Sequence, residues 1–140
     1  MISDQVRHHL ATSRGDHARR NVSAARGALA ELGVDPASDF GQFYVTFEGP
    51  FISPRAVPDL DELVDFGSSI MTSREYFSGR YRLGDHYLPL TSDESEGAFL
   101  YDAKSGAVFD FSLAAYDEFK RGVDPRWATF GEFLDWYFDV

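Results

Sequence analysis

A chain of 140 residues with 44% hydrophobic and 16% aromatic content has enough apolar volume for one packed domain, which excludes wholesale disorder. It contains no cysteine, so disulfides and thiolate metal sites are excluded as well. The formal net charge is −10, but residues 1–30 carry +3, leaving −13 on residues 31–140. An acidic body opposes nucleic-acid binding, which needs cationic contacts to phosphate, and favours encounter with a basic protein.

The N-terminal region shows no apolar run of the signal-peptide kind, and no stretch of about 18 apolar residues occurs anywhere. The expectation is a cytoplasmic protein without membrane contact. Ser3 or Asp4 can cap a short helix through about Leu10, an additional N-terminal element within residues 1–16. Val22, Ala25, Leu29 and Leu32 then recur at helical spacing, predicting a second helix from about His17 to Leu32, closed by Gly33. After the bend at Val34-Asp35-Pro36, Ser38 or Asp39 caps a third. Phe40, Phe43, Tyr44 and Phe47 form its apolar stripe, and it stops near Glu48-Gly49-Pro50.

Pro54 and Pro58 break residues 51–58 into loop or irregular edge strand. Leu60 to Phe66 fits a strand or a short helix, with a strand ending at Gly67 preferred, while Ser68 to Phe77 has no assigned element, with Ile70, Met71 and Phe77 expected to be buried. Tyr81-Arg82-Leu83 and His86 to Leu90 read as two strands joined through Gly84-Asp85, with Pro89 marking an edge. A polar, acidic turn from Thr91 to Gly97 leads into the most legible stretch, a β-hairpin over Gly97–Phe111 that turns at Asp102-Ala103-Lys104-Ser105-Gly106. Its Phe99, Tyr101, Phe109 and Phe111 are expected to hold the sheet against both aromatic helices. Leu113 to Phe119 suits a short helical piece, and Arg121 to Pro125 a bend. Thr129 with Glu132 forms a capping-box pattern for a last helix through Val140, with Phe130, Phe133, Leu134 and Tyr137 on its apolar face. The expected fold is α+β: one domain over residues 1–140, a mainly antiparallel sheet packed against N-terminal and C-terminal helices.

Signals of catalysis are sparse. The histidines His8, His9, His17 and His86 lack metal-ligand spacing, and His86, beside Asp85 in a Gly-Asp-His-Tyr turn, is the one candidate for a base. Gly67-Ser68-Ser69 lacks the lysine and spaced glycines of a phosphate loop. Asp93-Glu94-Ser95-Glu96 lacks calcium-loop spacing. No enzyme activity, cofactor or metal is expected. Arg19, Arg20 and Arg26 in the segment from Arg14 offer a basic face for nucleic acid or membrane, but pairing with the acidic body fits the overall charge better.

Three blocks carry a family resemblance. Ala25 to Val34 followed by Asp35-Pro36 and the aromatic helix to Glu48-Gly49, the hairpin Gly97–Phe109, and the closing Ala128-Thr129-Phe130-Gly131-Glu132-Phe133-Leu134 together resemble the SMI1/KNR4 (SUKH) superfamily. The tryptophan that family usually carries between its second helix and the sheet is missing, with Phe51 or Phe66 in its place. The resemblance implies a non-enzymatic immunity protein, which binds and neutralises a cognate polymorphic toxin domain such as a basic nuclease. The alternative is a general interaction or regulatory module of the same superfamily with a cellular partner. Such binding takes about 800 Å² per partner, with acidic rim charges raising the association rate. The candidate contact residues are Glu48, Asp59, Asp61, Glu62, Asp93, Glu94 and Glu96, with Tyr87 or Tyr101 as an aromatic anchor. The loop Asp93–Glu96, presented by the hairpin, is the expected point of contact.

Overall fold

Among the described residues, five of the six α-helices begin at a side chain that caps them, so their starts follow from local chemistry. The structure, a computed structural model, describes residues 1–13, 15–64 and 69–140. Helix α1 (Asp4–Thr12) starts at Ser3, whose hydroxyl accepts from the Val6 N–H at 3.2 Å, and it buries Val6 and Leu10. Helix α2 (Val22–Leu32) starts at Asn21 and ends at Gly33, whose φ of 72° is the left-handed conformation that closes a helix. Helix α3 (Asp39–Thr46) is capped by Ser38 and buries Phe40, Phe43 and Tyr44. Gly41 lies so close to the turn before it that a Cβ there would collide with the Asp35 carbonyl and Pro36 backbone. Helix α4 (Ile70–Tyr81) carries a reciprocal cap between Ser69 and Thr72. Three strands follow: β1 (Tyr87–Pro89), β2 (Gly97–Asp102) and β3 (Val108–Ser112). After a 3₁₀ turn at Leu113–Ala115 come α5 (Tyr116–Arg121) and α6 (Phe130–Tyr137). Thr129 caps α6 as its sequence pattern indicates, but Glu132 reaches back to the Ala128 N–H at 3.1 Å, one residue earlier than a capping box requires.

The sheet is antiparallel in the order β1-β2-β3, with Leu100 opposite Phe109 and Tyr101 opposite Val108. The α+β fold of the sequence reading is the fold found, and β1 with Pro89 occupies an edge. Alternation along the hairpin sends side chains to two separate cores. Leu88, Phe99, Tyr101 and Val108 join α1, α2, α3 and α6 in the larger one, where Tyr101 stacks on Phe40 with centroids 4.4 Å apart. Leu100, Phe109 and Phe111 point the other way, onto Phe77 and Tyr81 of α4, with Phe119 of α5 packed against them. Phe109 and Phe111 therefore do not face the two aromatic helices: a second helical layer covers their side. Among the described residues no helix is long and apolar enough to cross a membrane.

Three expected elements differ. The second helix begins at Val22, not His17, because residues 17–20 lie extended beside the end of α3, bridged at Ala18 and Phe47. The stretch from Leu60 forms single bridges instead of a strand, since its backbone donors go to different neighbours: Leu60 to Phe51, Asp61 to Leu90. Residues 65–67 of that expectation, including Phe66, lie outside the described residues. Tyr81-Arg82-Leu83 is not a strand either. Tyr81 ends α4, and Arg82 leaves it at φ 55°.

Candidate partner-binding surface

Arg19 organises one side of this surface. Its guanidinium donates to the Phe47 carbonyl and pairs with Glu62 Oε2 at 2.7 Å, while Nε donates to the Tyr44 carbonyl at 2.8 Å. These carbonyls lie at the C-terminal end of α3, where the helix leaves acceptors unsatisfied and favours a cation. Glu62 Oε1 meanwhile accepts from the Gly49 N–H at 2.9 Å. Next to it, Glu48 Oε1 accepts from the Arg20 N–H at 2.6 Å and lies 4.0 Å from its guanidinium. The His17 ring donates through Nδ1 to the Glu48 carbonyl. Arg19 thus spends its charge inside the chain, as the overall charge suggests, whereas the Arg20 side chain is 80% exposed, Arg26 has no ion pair among the described residues, and Arg14 lies outside them.

This framework gathers Glu48, Asp59, Asp61 and Glu62 around one cleft of about 470 Å³ with Arg19 at its wall. Asp61 is tied down through its backbone: its N–H donates to the Leu90 carbonyl, and its carbonyl accepts the Tyr44 hydroxyl at 2.9 Å. The Asp61–Leu90 hydrogen bond sets the acidic stretch 59–62 against the end of β1, where the loop bearing Asp93, Glu94 and Glu96 begins. Among the described residues, Asp59, Glu94 and Glu96 have no ion-pair partner, and all three are exposed. The carboxylates near Tyr44 also act on it: burial foremost, then Glu62 and Asp61, push its phenol well above the ordinary tyrosine value.

Asp93 is held differently. Its Oδ2 accepts the hydroxyls of Tyr81 at 2.5 Å and Tyr76 at 3.0 Å. The Tyr81 hydrogen bond, above all, keeps its carboxyl below the usual value, with smaller help from Tyr76 and Arg80.

The aromatic anchors do not join this surface. Tyr101 is 4% exposed in the larger core. Tyr87 is half-buried against Phe109 and Phe119, on the opposite face of the sheet from Leu88, and burial raises its phenol. His86 makes no hydrogen bond to Asp85; its ring lies on Tyr87 with centroids 4.2 Å apart. Phe51 is buried against Phe43 and Tyr44.

A second groove, of about 340 Å³, lies on the other side of the acidic loop, between Glu96 and Trp136. Arg126 stands 4.6 Å from the Trp136 ring centre and pairs with Asp110 at 2.7 Å, while Arg55 stands 4.7 Å from the same ring. The sequence reading missed this groove. Its residues come from five separated segments, around 56–58, 91–99, 110–112, 126 and 136, which no local pattern in the sequence brings together.

Comparison of the chain with known proteins identifies no relative: no family model matches it, and neither a curated protein nor a solved structure is significantly similar.

Proposed function

We propose that this chain is a cytoplasmic immunity protein, which neutralises a cognate toxin domain by direct binding and catalyses no reaction. The observation that supports the reading is the Asp61–Leu90 hydrogen bond, which sets the acidic stretch 59–62 against the end of β1, just before the chain enters the acidic loop 93–96. The carboxylates of Asp59, Glu94 and Glu96, which have no ion-pair partner among the described residues, belong to these stretches of a fold whose residues 31–140 hold −13. A basic partner, such as a nuclease domain that must itself contact phosphate, is the complement of such a surface. The three sequence blocks that resemble the SMI1/KNR4 superfamily point to the same class. Glu48 and Glu62 support the cleft through Arg20 and Arg19, whereas Asp59 supplies free charge at its wall and Glu94 and Glu96 supply it on the neighbouring loop.

The test is co-expression with the toxin domain encoded beside it. Cells are expected to survive and to yield a complex of the two proteins. Continued killing with no complex would sink the reading.

A further inference from the structure

We propose that Tyr76, Tyr81 and Asp93 form a latch that fixes the acidic loop 92–96 in a single binding-ready conformation, so that Asp93 positions the contact carboxylates instead of meeting the partner itself. This inference rests on the reading of the loop as a contact surface, but the latch can be measured without any partner. Four observations carry it. Both Tyr hydroxyls, one turn and a residue apart on α4, converge on the same oxygen of Asp93. Both hydroxyls tether Asp93 through Oδ2 to α4, and charge-assisted hydrogen bonds are among the stronger polar contacts. Tyr81 is buried by Phe77 and Phe111, so its hydroxyl is fixed from behind; Arg80 lies 5.7 Å from the same ring.

The loop's far end is also tied. The Glu96 N–H closes a turn onto the Asp93 carbonyl, and the Glu96 carbonyl accepts from Leu113 N–H at 2.9 Å. Between these ties Glu96 adopts φ 59°, a left-handed conformation that a glutamate reaches only when its surroundings impose it. The hydrogen bonds to Asp93 and Leu113 supply that constraint. Glu94 and Ser95 at the tip remain exposed with no side-chain hydrogen bond to another described residue. The loop separates two clefts: Asp93 with Tyr76 lines one of about 260 Å³, and Glu96 lines the groove beside Trp136. A loop fixed in this way binds without first losing conformational entropy, which is the advantage of preorganisation.

Amide hydrogen exchange on the isolated chain tests the latch. In Tyr76→Phe/Tyr81→Phe, which keeps both rings, exchange at the Glu96 and Leu113 amides, which close the loop, is expected to rise about tenfold or more, with Leu100 and Phe109 in the hairpin unchanged. Asp93→Ala should reproduce the effect, and Asp93→Asn, which keeps an acceptor oxygen, should restore part of the protection. Unchanged exchange at Glu96 and Leu113 in the double Phe variant and in Asp93→Ala would overturn the latch. A faster-exchanging loop in a chain whose wild type binds no toxin domain would leave the latch standing and refute the partner instead.

Discussion

Arg19 and Glu62 form an ion pair at 2.7 Å with side chains only 11% and 21% exposed, and the same guanidinium closes the end of α3. One side chain therefore ties the extended segment 17–20, the aromatic helix and the acidic cleft together. Removing it leaves two carbonyls and a carboxylate short of a donor in a half-buried site. Arg19→Ala is expected to cost about 2–4 kcal/mol, read as a lower urea midpoint with an unchanged slope. Arg19→Lys should recover little, because one ammonium cannot copy the three-way fork. A loss below about 0.5 kcal/mol would show that the pair is surface decoration.

Gly41 tests the packing of α3 on the turn before it. Any Cβ there meets the Asp35 carbonyl and the Pro36 backbone, which cannot rotate away as a side chain can. Gly41→Ala should lower the melting temperature by roughly 5–10 °C even though alanine is the better helix former. A rise in melting temperature would contradict the close approach.

Much of this architecture is readable from residue order because its signals are local. Ser3, Ser38 and Thr129 announce helix starts, the aromatic spacing marks α3 and α6, and Gly106 closes a hairpin with the expected strands. Helix α4 hid because its buried positions, Ile70, Phe77 and Tyr81, are sparse within an otherwise polar stretch. Residues 17–20 read as helix because nothing local shows that Arg19 is destined for the carbonyls of Tyr44 and Phe47. The candidate surface was legible as charge but not as arrangement. Composition alone does not distinguish Glu62, held by Arg19 and Gly49, from Asp59, which is free at the rim.

Two tyrosines tie stability to alkaline pH. Burial foremost, and then nearby carboxylates, push the phenols of Tyr44 and Tyr137 well above the ordinary value near 10. A group whose pKa is raised by folding stabilises fully below its unfolded value and loses that contribution as pH rises toward the folded one. Stability should fall progressively above about pH 10, with these two phenols ionising only as the chain unfolds. Absorbance at the phenolate band, followed beside near-ultraviolet circular dichroism, checks this. Tyr137→Phe should remove part of the alkaline loss. It should also lower stability at neutral pH, because the Phe51 and Pro58 carbonyls lose their shared donor.

Charge reversal separates contact from scaffold. Asp59→Lys and Glu94→Lys are expected to leave the urea midpoint nearly unchanged, because neither carboxylate has a partner among the described residues. Glu62→Lys should destabilise the fold by opposing Arg19. If Asp59→Lys proved as damaging as Glu62→Lys, the division between rim and support would be wrong.

The most direct measurement is the association rate between this chain and the toxin domain encoded beside it, at low and high salt, for the wild type and for Asp59→Lys/Glu94→Lys. The expected result is a one-to-one complex whose association slows with added salt, and slows about tenfold or more in the double variant at low salt. No complex at micromolar concentration, or one that forms at the same rate with either surface and at either salt, would contradict binding through the acidic face.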